Sequence, residues 1–295
     1  MSMKTARIGD PVRDIVGQPV PIILPGPASL FLRRADRLDH LAADSPMADF
    51  LHFLASIARA QHIAAVALPM LASPDIVEDA PPLACEHPRR DQCWQSALAT
   101  LLRSIDEPLL PEAARDAARR LAARDRDALA DAYLKAEVPQ SETGEALFIA
   151  AALQAYFAHR AAALPIAALH LLPQRGLCPA CGSPPVAGII TAAGPTPGVR
   201  YLYCGLCATA WNFVRATCIT CGGSRSVGLM QIEGGNGAVQ AETCDDCHTY
   251  AKMLYQSKDM LLEPLADDIA SLGLDMLVTE SGYHRNAPNP FVVTA

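Results

Sequence analysis

Four Cys-x-x-Cys pairs in the second half of the chain limit its possible folds more than any other pattern. Twenty-two residues separate the first pair from the second, and twenty-two separate the third from the fourth, whereas ten lie between the second and third. A shift of 40 residues therefore superimposes the first two pairs on the last two, which indicates an internal duplication. The pairs are Cys178 and Cys181, Cys204 and Cys207, Cys218 and Cys221, and Cys244 and Cys247.

Two cysteines separated by two residues present both sulfurs from one tight turn, here called a knuckle, and two knuckles complete a tetrahedron of thiolates around one ion. Gly182 and Gly222 directly follow a knuckle, where a residue without Cβ adopts a positive φ. The eight cysteines thus predict two metal sites. Consecutive pairing of the knuckles is favoured, because each duplicated unit then binds its ion independently. A cross-brace that joins the first and third pairs is the alternative.

Thiolate ligands in tetrahedral geometry suit both zinc and iron. In either case protein ligands fill every coordination position, as in structural rather than catalytic zinc sites. We therefore expect no catalytic residue in these sites and no enzymatic role for them. Iron is able to carry an electron in such a site and zinc is not, so a redox role depends on which ion is bound.

A looser pattern lies upstream, where Cys85, His87 and Cys93 form a C-x-H-x5-C cluster. A third metal site at this position would have three ligands at uneven spacing, outside the duplicated segment. We interpret these three residues as ordinary side chains rather than ligands.

The remainder of the chain is dominated by helical patterns. Of its 295 residues, 51% are hydrophobic, 19% charged and only 5% aromatic, which favours a sizeable helical core over a β-sandwich. Apolar residues at a spacing of three and four predict helices over much of 28–170, and again at 248–257 and 263–280. Glu263, Asp267 and Asp268 stand at the start of the last helix, where acidic side chains interact favourably with the helix dipole.

The start of the sequence lacks an apolar stretch of signal-peptide length, and the most apolar window, 57–72, is interrupted by polar residues. We therefore expect a cytoplasmic protein without a membrane span. In a reducing compartment its ten cysteines favour metal or thiol chemistry over disulfides.

Charge decides between two interpretations of an aromatic group near the second knuckle. The group alternates as in strands and resembles a stacking platform for single-stranded nucleic acid. However, the formal net charge is −7, and four basic and four acidic side chains between 175 and 250 leave no basic face. We therefore expect no nucleic-acid partner and assign the group to a small ribbon core; a nucleic-acid-binding zinc ribbon is the weakest alternative. The aromatic residues are Tyr201, Tyr203, Trp211 and Phe213.

Several runs of residues resemble the FdhE family of formate dehydrogenase accessory proteins. The resemblance covers about the last 120 residues, includes all eight paired cysteines, and is specific as a set. It rests on Leu177–Ile189, Arg200–Cys207, Trp211, Val214–Arg215, Ala241–Cys247, Tyr250, Lys252, Lys258–Asp259, Glu263–Pro264, Ala266–Asp268, Gly282–Tyr283 and Asn289–Phe291.

The resemblance implies a maturation factor for respiratory, molybdenum-containing formate dehydrogenases that contacts their catalytic subunit before export. It also implies two rubredoxin-like units that hold two ions, with iron favoured and zinc the alternative. We accordingly expect a multidomain α+β fold, with an irregular all-α domain at 1–172, rubredoxin-like or zinc-ribbon units at 173–214 and 215–256, and a C-terminal helix and tail at 257–295. The metal-supported ribbons and the C-terminal helix would form a docking surface, and the helical half would add further contact. In the alternative, iron or exposed thiolates pass electrons or sulfur to the client.

Overall fold

The computed structural model describes residues 3–7, 18–85, 91–105, 110–194 and 196–292. A helical region comes first, a mixed β-sheet carries the cysteine pairs, and two further helices follow the sheet. This arrangement confirms the predicted α+β fold class.

The helical region is built around its last helix. That helix is buried on almost every side, and it contacts the five helices before it. A helix that is apolar all round requires such a position, and its many alanines permit close approach of the neighbours. The helices are α1 (Pro27–Ala42), α2 (Ala48–Ala67), α3 (Cys93–Ser104), α4 (Glu112–Arg120), α5 (Arg126–Leu134) and α6 (Thr143–Ala162).

By length and composition alone, α2 is the one described helix that is apolar enough to cross a membrane. Its most apolar window has a mean hydropathy of 1.2, and 56% of that window is buried inside the protein. Gln61 on α2 is fully buried and donates to Ala151 O at 2.9 Å and to Gln154 Oε1 at 2.7 Å. Packing in the helical core therefore accounts for the apolar composition of α2.

The described strands form one sheet. Its order is β1-β6-β7-β8-β3-β4-β5-β2, and β9 pairs with β8. The strands are β1 (Met3–Arg7), β2 (Ile22–Ile23), β3 (Pro185–Ile190), β4 (Arg200–Cys204), β5 (Ala210–Asn212), β6 (Val227–Ile232), β7 (Val239–Cys244), β8 (Thr249–Tyr255) and β9 (His284–Arg285).

The duplication is visible in the sheet as two antiparallel meanders, β3–β4–β5 and β6–β7–β8. They join through parallel pairing of β3 with β8, in which Gly188 lies opposite Met253. A Cβ at Gly188 would lie 2.5 Å from Met253 Sδ, so the close join depends on the missing side chain. The chain ahead of the helices supplies an outer strand to each meander, β1 to β6 and β2 to β5, which the helical patterns did not predict.

The prediction of a helix over 248–257 is wrong, because strand β8 occupies this segment between β7 and β3. Residues 250–254 are all buried, and a strand that is covered on both faces shows an apolar run instead of alternation. The single helix expected over 263–280 is two, α7 (Pro264–Ala270) and α8 (Leu272–Glu280), separated at Ser271.

The acidic residues at the start of α7 have unequal roles. Glu263 is the N-cap, and its side chain accepts hydrogen bonds from Leu265 N and Ala266 N, as a helix-start residue should. Asp267 and Asp268 do more than interact with the helix dipole, because both are buried in ion pairs. Arg37 Nη2 of α1 lies 2.6 Å from Asp267 Oδ1 and thereby joins the helical region to the C-terminal helices.

Candidate metal centres

The first four cysteines of the duplication form one group, here called the first cluster, in which all four sulfurs lie within 4.8 Å of one another. Cys178 Sγ is 3.5 Å from Cys207 Sγ, and Cys181 Sγ is 3.4 Å from Cys204 Sγ. All four side chains are fully buried.

The last four cysteines form the second cluster, again with all sulfurs within 4.8 Å of one another. Cys218 Sγ is 3.6 Å from Cys247 Sγ, and Cys221 Sγ is 3.7 Å from Cys244 Sγ. The structure thus groups consecutive knuckles and does not join the first pair to the third.

Both clusters suit a tetrahedral ion that is bound by thiolates. Metal–sulfur bonds of about 2.3 Å place neighbouring sulfurs of a tetrahedron about 3.8 Å apart. The shortest sulfur–sulfur distances, 3.4 Å in the first cluster and 3.6 Å in the second, lie near this value. The donor set, four thiolates and no oxygen, is one that zinc and iron share.

The backbone of the knuckles is compatible with four thiolates around one ion. In the first knuckle of each unit the leading cysteine donates its N–H five residues ahead, from Cys178 to Ser183 O at 2.9 Å and from Cys218 to Gly223 O at 2.7 Å. A residue with positive φ directly follows every knuckle. As expected, Gly182 and Gly222 fill this position after the first and third knuckles. Ala208 and His248 fill it after the second and fourth, at φ 58° and 54°.

Two threonines accompany the clusters, and the sequence interpretation missed them. Thr209 Oγ1 lies 3.2 Å from Cys207 Sγ, and Thr249 Oγ1 lies 3.1 Å from Cys247 Sγ. Hydroxyl and amide donors offset the negative charge of thiolates that hold a metal. Their position in the sequence could have indicated them, since each threonine stands two residues after the last cysteine of its unit.

The helical region explains why the first cluster is buried. Its segment 81–85 lies over the first knuckle, with Leu83 N donating to Ala180 O at 2.8 Å and Cys85 N to Cys181 O at 3.0 Å. From α6, the buried Gln154 donates its Nε2 to Gly205 O in the second knuckle at 2.7 Å.

The second cluster is open to solvent on one side. Cys221 is exposed and Cys247 is partly exposed, whereas Cys218 and Cys244 are buried. Near this cluster, Thr220 Oγ1 donates to Asn286 Oδ1 at 2.7 Å, so part of the cover comes from the chain after β9.

Burial and hydrogen bonding shift the pKa values of the thiols in opposite directions within each cluster. In the first cluster burial raises the pKa of Cys178 and Cys204 well above the usual range, so these thiols resist ionisation without a cation. In the second cluster burial also acts to raise the pKa of Cys247, but hydrogen bonds with Thr249 and the neighbouring thiols lower it to about 7. In the first cluster, hydrogen bonds with the neighbouring thiols hold the pKa of Cys181 well below the usual range despite its burial. In the second, burial raises the pKa of Cys244 to about 12, so each cluster combines thiols of high and of low pKa.

The upstream pattern forms no metal-type group within the described residues. Cys85 is buried beside the first knuckle, where Ser183 Oγ donates to its Sγ at 3.3 Å. Cys93 begins α3, and its N–H donates to Asp91 Oδ1 at 2.9 Å. His87 lies outside the described residues.

Three family models match the chain in succession. They are described as FdhE, N-terminal, over residues 19–173, FdhE, central domain, over 177–215, and FdhE, C-terminal domain, over 216–292. A Protein FdhE homolog from Edwardsiella ictaluri is 37% identical over 286 residues, 94% of this chain and 92% of the relative. Protein FdhE from Escherichia coli K12 is 35% identical over 283 residues, 92% of this chain and 91% of the relative. A crystal structure of the FdhE protein from Pseudomonas aeruginosa is similar with a TM-score of 0.82 and 35% identity, covering 92% of this chain and 98% of that chain.

Proposed function

The chain belongs to the FdhE family, and from this premise we propose that it is an accessory factor in the maturation of respiratory, molybdenum-containing formate dehydrogenases. It docks on the catalytic subunit in the cytoplasm, before that subunit is exported. The observation that carries the proposal is the family match over the helical region and both duplicated units, together with the two clusters that these units form.

In this proposal, residues 173–214 and 215–256 are two metal-binding units, and the paired cysteines hold one ion in each. The eight ligands are Cys178, Cys181, Cys204, Cys207, Cys218, Cys221, Cys244 and Cys247. A bound ion stabilises a unit whose own core is small. Thr209 and Thr249 hold a hydroxyl against a sulfur, and segment 81–85 excludes water from the first cluster.

A second candidate function is favoured by the exposure of the second cluster. Iron bound beside the exposed Cys221 would be accessible to a redox partner, so the chain could pass electrons to its client. Metal content and visible absorption of protein purified without added metal test this alternative. Two irons per chain with thiolate-to-iron charge-transfer bands support it. A colourless protein with two zincs and full accessory activity excludes it.

Complementation tests the accessory role itself. A strain without the gene is expected to lose membrane formate dehydrogenase activity and to regain it with the wild-type chain. Copurification with the tagged catalytic subunit is expected to fail when all eight paired cysteines are replaced by serine. Full activity without the gene contradicts the accessory role, whereas undiminished copurification of the eight-serine variant removes only the clusters from docking.

A further inference from the structure

A cleft of about 1070 Å³ lies beside the first cluster, between the helical region and the first duplicated unit. One wall is the loop 74–85, the floor is the end of α6, and the other wall is the segment 172–177 that leads into the first knuckle. Its volume slightly exceeds the range, about 300–1,000 Å³, that is typical of ligand sites. The lining includes Val77, Pro81, Tyr156, Phe157, Arg160 and Leu177.

The loop wall is fixed at both ends, so the cleft exists before any ligand binds. At one end, Arg160 Nη2 donates to Ala72 O at 3.3 Å. At the other end, Leu83 and Cys85 donate their N–H groups to the first knuckle. A preformed site loses less conformational entropy when it binds a partner.

Between its two fixed ends, the loop wall is distinguished by the hydrogen bonding of its backbone N–H groups. Within the part of the chain that the structure describes, no N–H group of residues 75–79 donates to another group. Prolines at 74, 81, 82 and 173 border the cleft, Val77 is exposed in its wall, and the largely buried Tyr156 and Phe157 close its floor. Extended peptides bind to such surfaces through backbone hydrogen bonds and through apolar contacts with aromatic residues.

The charge of the cleft selects a cationic ligand. Among the described residues, three that line the cleft are charged, and the one cation of these, Arg160, lies 2.8 Å from Asp91 Oδ2 and is thereby neutralised. Asp75 and Asp79 are exposed at the rim, and among the described residues neither has an ion-pair partner. The cleft therefore presents an apolar floor below a rim of two negative charges.

We propose that this cleft binds an extended segment of the client's catalytic subunit that carries a lysine or arginine between apolar residues. This inference rests on the proposed accessory function and assigns to it a docking site. The apolar residues of the segment contact Val77, Pro81 and Leu177, and its basic side chain lies between Asp75 and Asp79. Docking there places the client beside the buried first cluster rather than at the exposed second cluster.

The test is the affinity of the purified chain, with metal in both clusters, for the purified catalytic subunit of formate dehydrogenase without its cofactors. Three variants change the net charge by the same amount. Asp75→Lys and the double variant Asp75→Asn/Asp79→Asn alter the rim, whereas Glu78→Lys alters an exposed residue of the same loop that does not line the cleft. Asn tolerates the positive φ of position 79, so the loop keeps its shape.

Both rim variants are expected to weaken binding about tenfold and to reduce its dependence on salt, while Glu78→Lys stays within about twofold of the wild type. Metal content and thermal midpoint verify folding. Equal affinities for all four proteins overturn the proposal, as they would if a small molecule or a second copy of the chain occupied the cleft. An equal loss in Glu78→Lys also overturns it. A wild-type chain that does not bind the subunit refutes the proposed function, and the docking site with it.

Discussion

The first and second clusters come from one duplicated sequence unit, yet one is enclosed and the other is open. Both have two knuckles, a positive φ after each knuckle, and a threonine beside the last cysteine. In the first cluster every cysteine is fully buried, whereas Cys221 in the second is exposed. The local geometry of each cluster is therefore determined by the repeated sequence. Its burial is determined by the other parts of the chain that pack on it.

The covering parts come from outside the repeat. Leu83 and Cys85 of the helical region bond to the first knuckle, and Gln154 of α6 bonds to the second. An ion in the first cluster would therefore order knuckles that the helical region also contacts, whereas an ion in the second would order mainly its own unit. The duplicated unit thus occurs once in an enclosed setting and once in an open one.

The largest expected difference between the two clusters is in the free energy of unfolding that is lost when one thiolate is removed. Cys204→Ser should lower the free energy of unfolding by about 4–5 kcal/mol, because the helical region also loses its contact with an ordered knuckle. The matched change in the second unit, Cys244→Ser, should cost about 1–3 kcal/mol. Urea unfolding followed by far-ultraviolet circular dichroism measures both. Equal costs would show that the cover over the first cluster contributes nothing.

A methyl group at Gly176 should disturb the second cluster from the first unit. A Cβ at this position would lie 2.4 Å from the backbone oxygen of Ile219, inside the third knuckle, so that knuckle must move. Gly176→Ala is expected to cost about 2–3 kcal/mol and to lower metal occupancy of the second cluster. The control is Gly273→Ala, where a Cβ meets nothing within 4 Å. Full occupancy in Gly176→Ala would mean that the third knuckle adjusts freely.

Chelation should remove the two ions at different rates. The ion of the second cluster is accessible at Cys221, whereas release from the first requires local opening of segment 81–85. With excess chelator we expect two phases of one ion each, separated by about tenfold or more in rate. Stopped-flow absorbance with a coloured chelator measures them. A single phase of two ions would contradict the difference in enclosure.

The smallest expected difference concerns the paired threonines. Thr209→Val should lower metal affinity of the first cluster by about tenfold, since no water can replace the hydroxyl at a buried sulfur. Thr249→Val should have a weaker effect, about threefold, because Thr249 is only partly buried and water can take over the hydrogen bond. Competition titrations of each variant determine the two affinities. A larger loss in Thr249→Val would reverse the proposed order.

Features that belong to the repeated unit could be predicted from the sequence, whereas contacts between different regions of the chain could not. The spacing of the cysteines indicated both clusters, and Gly182 and Gly222 indicated two of the positive φ values. The sequence predicts a helix where β8 lies, because a strand that is buried on both faces and placed between two other strands lacks the alternation that would identify it. The cover over the first cluster was also missed, since backbone bonds from Leu83 and Cys85 leave no signature in side-chain type.

The ion pairs between α1 and α7 have a consequence for the order of synthesis. Arg34 and Arg37 are buried near the beginning of the chain, and their partners Glu263 and Asp267 are more than two hundred residues later. While the ribosome is still making the repeat, both guanidinium groups lack their carboxylates, and buried charges without partners are costly. The helical region therefore lacks these two ion pairs until nearly all of the chain has emerged, and we expect the burial of Arg34 and Arg37 to be completed late in synthesis.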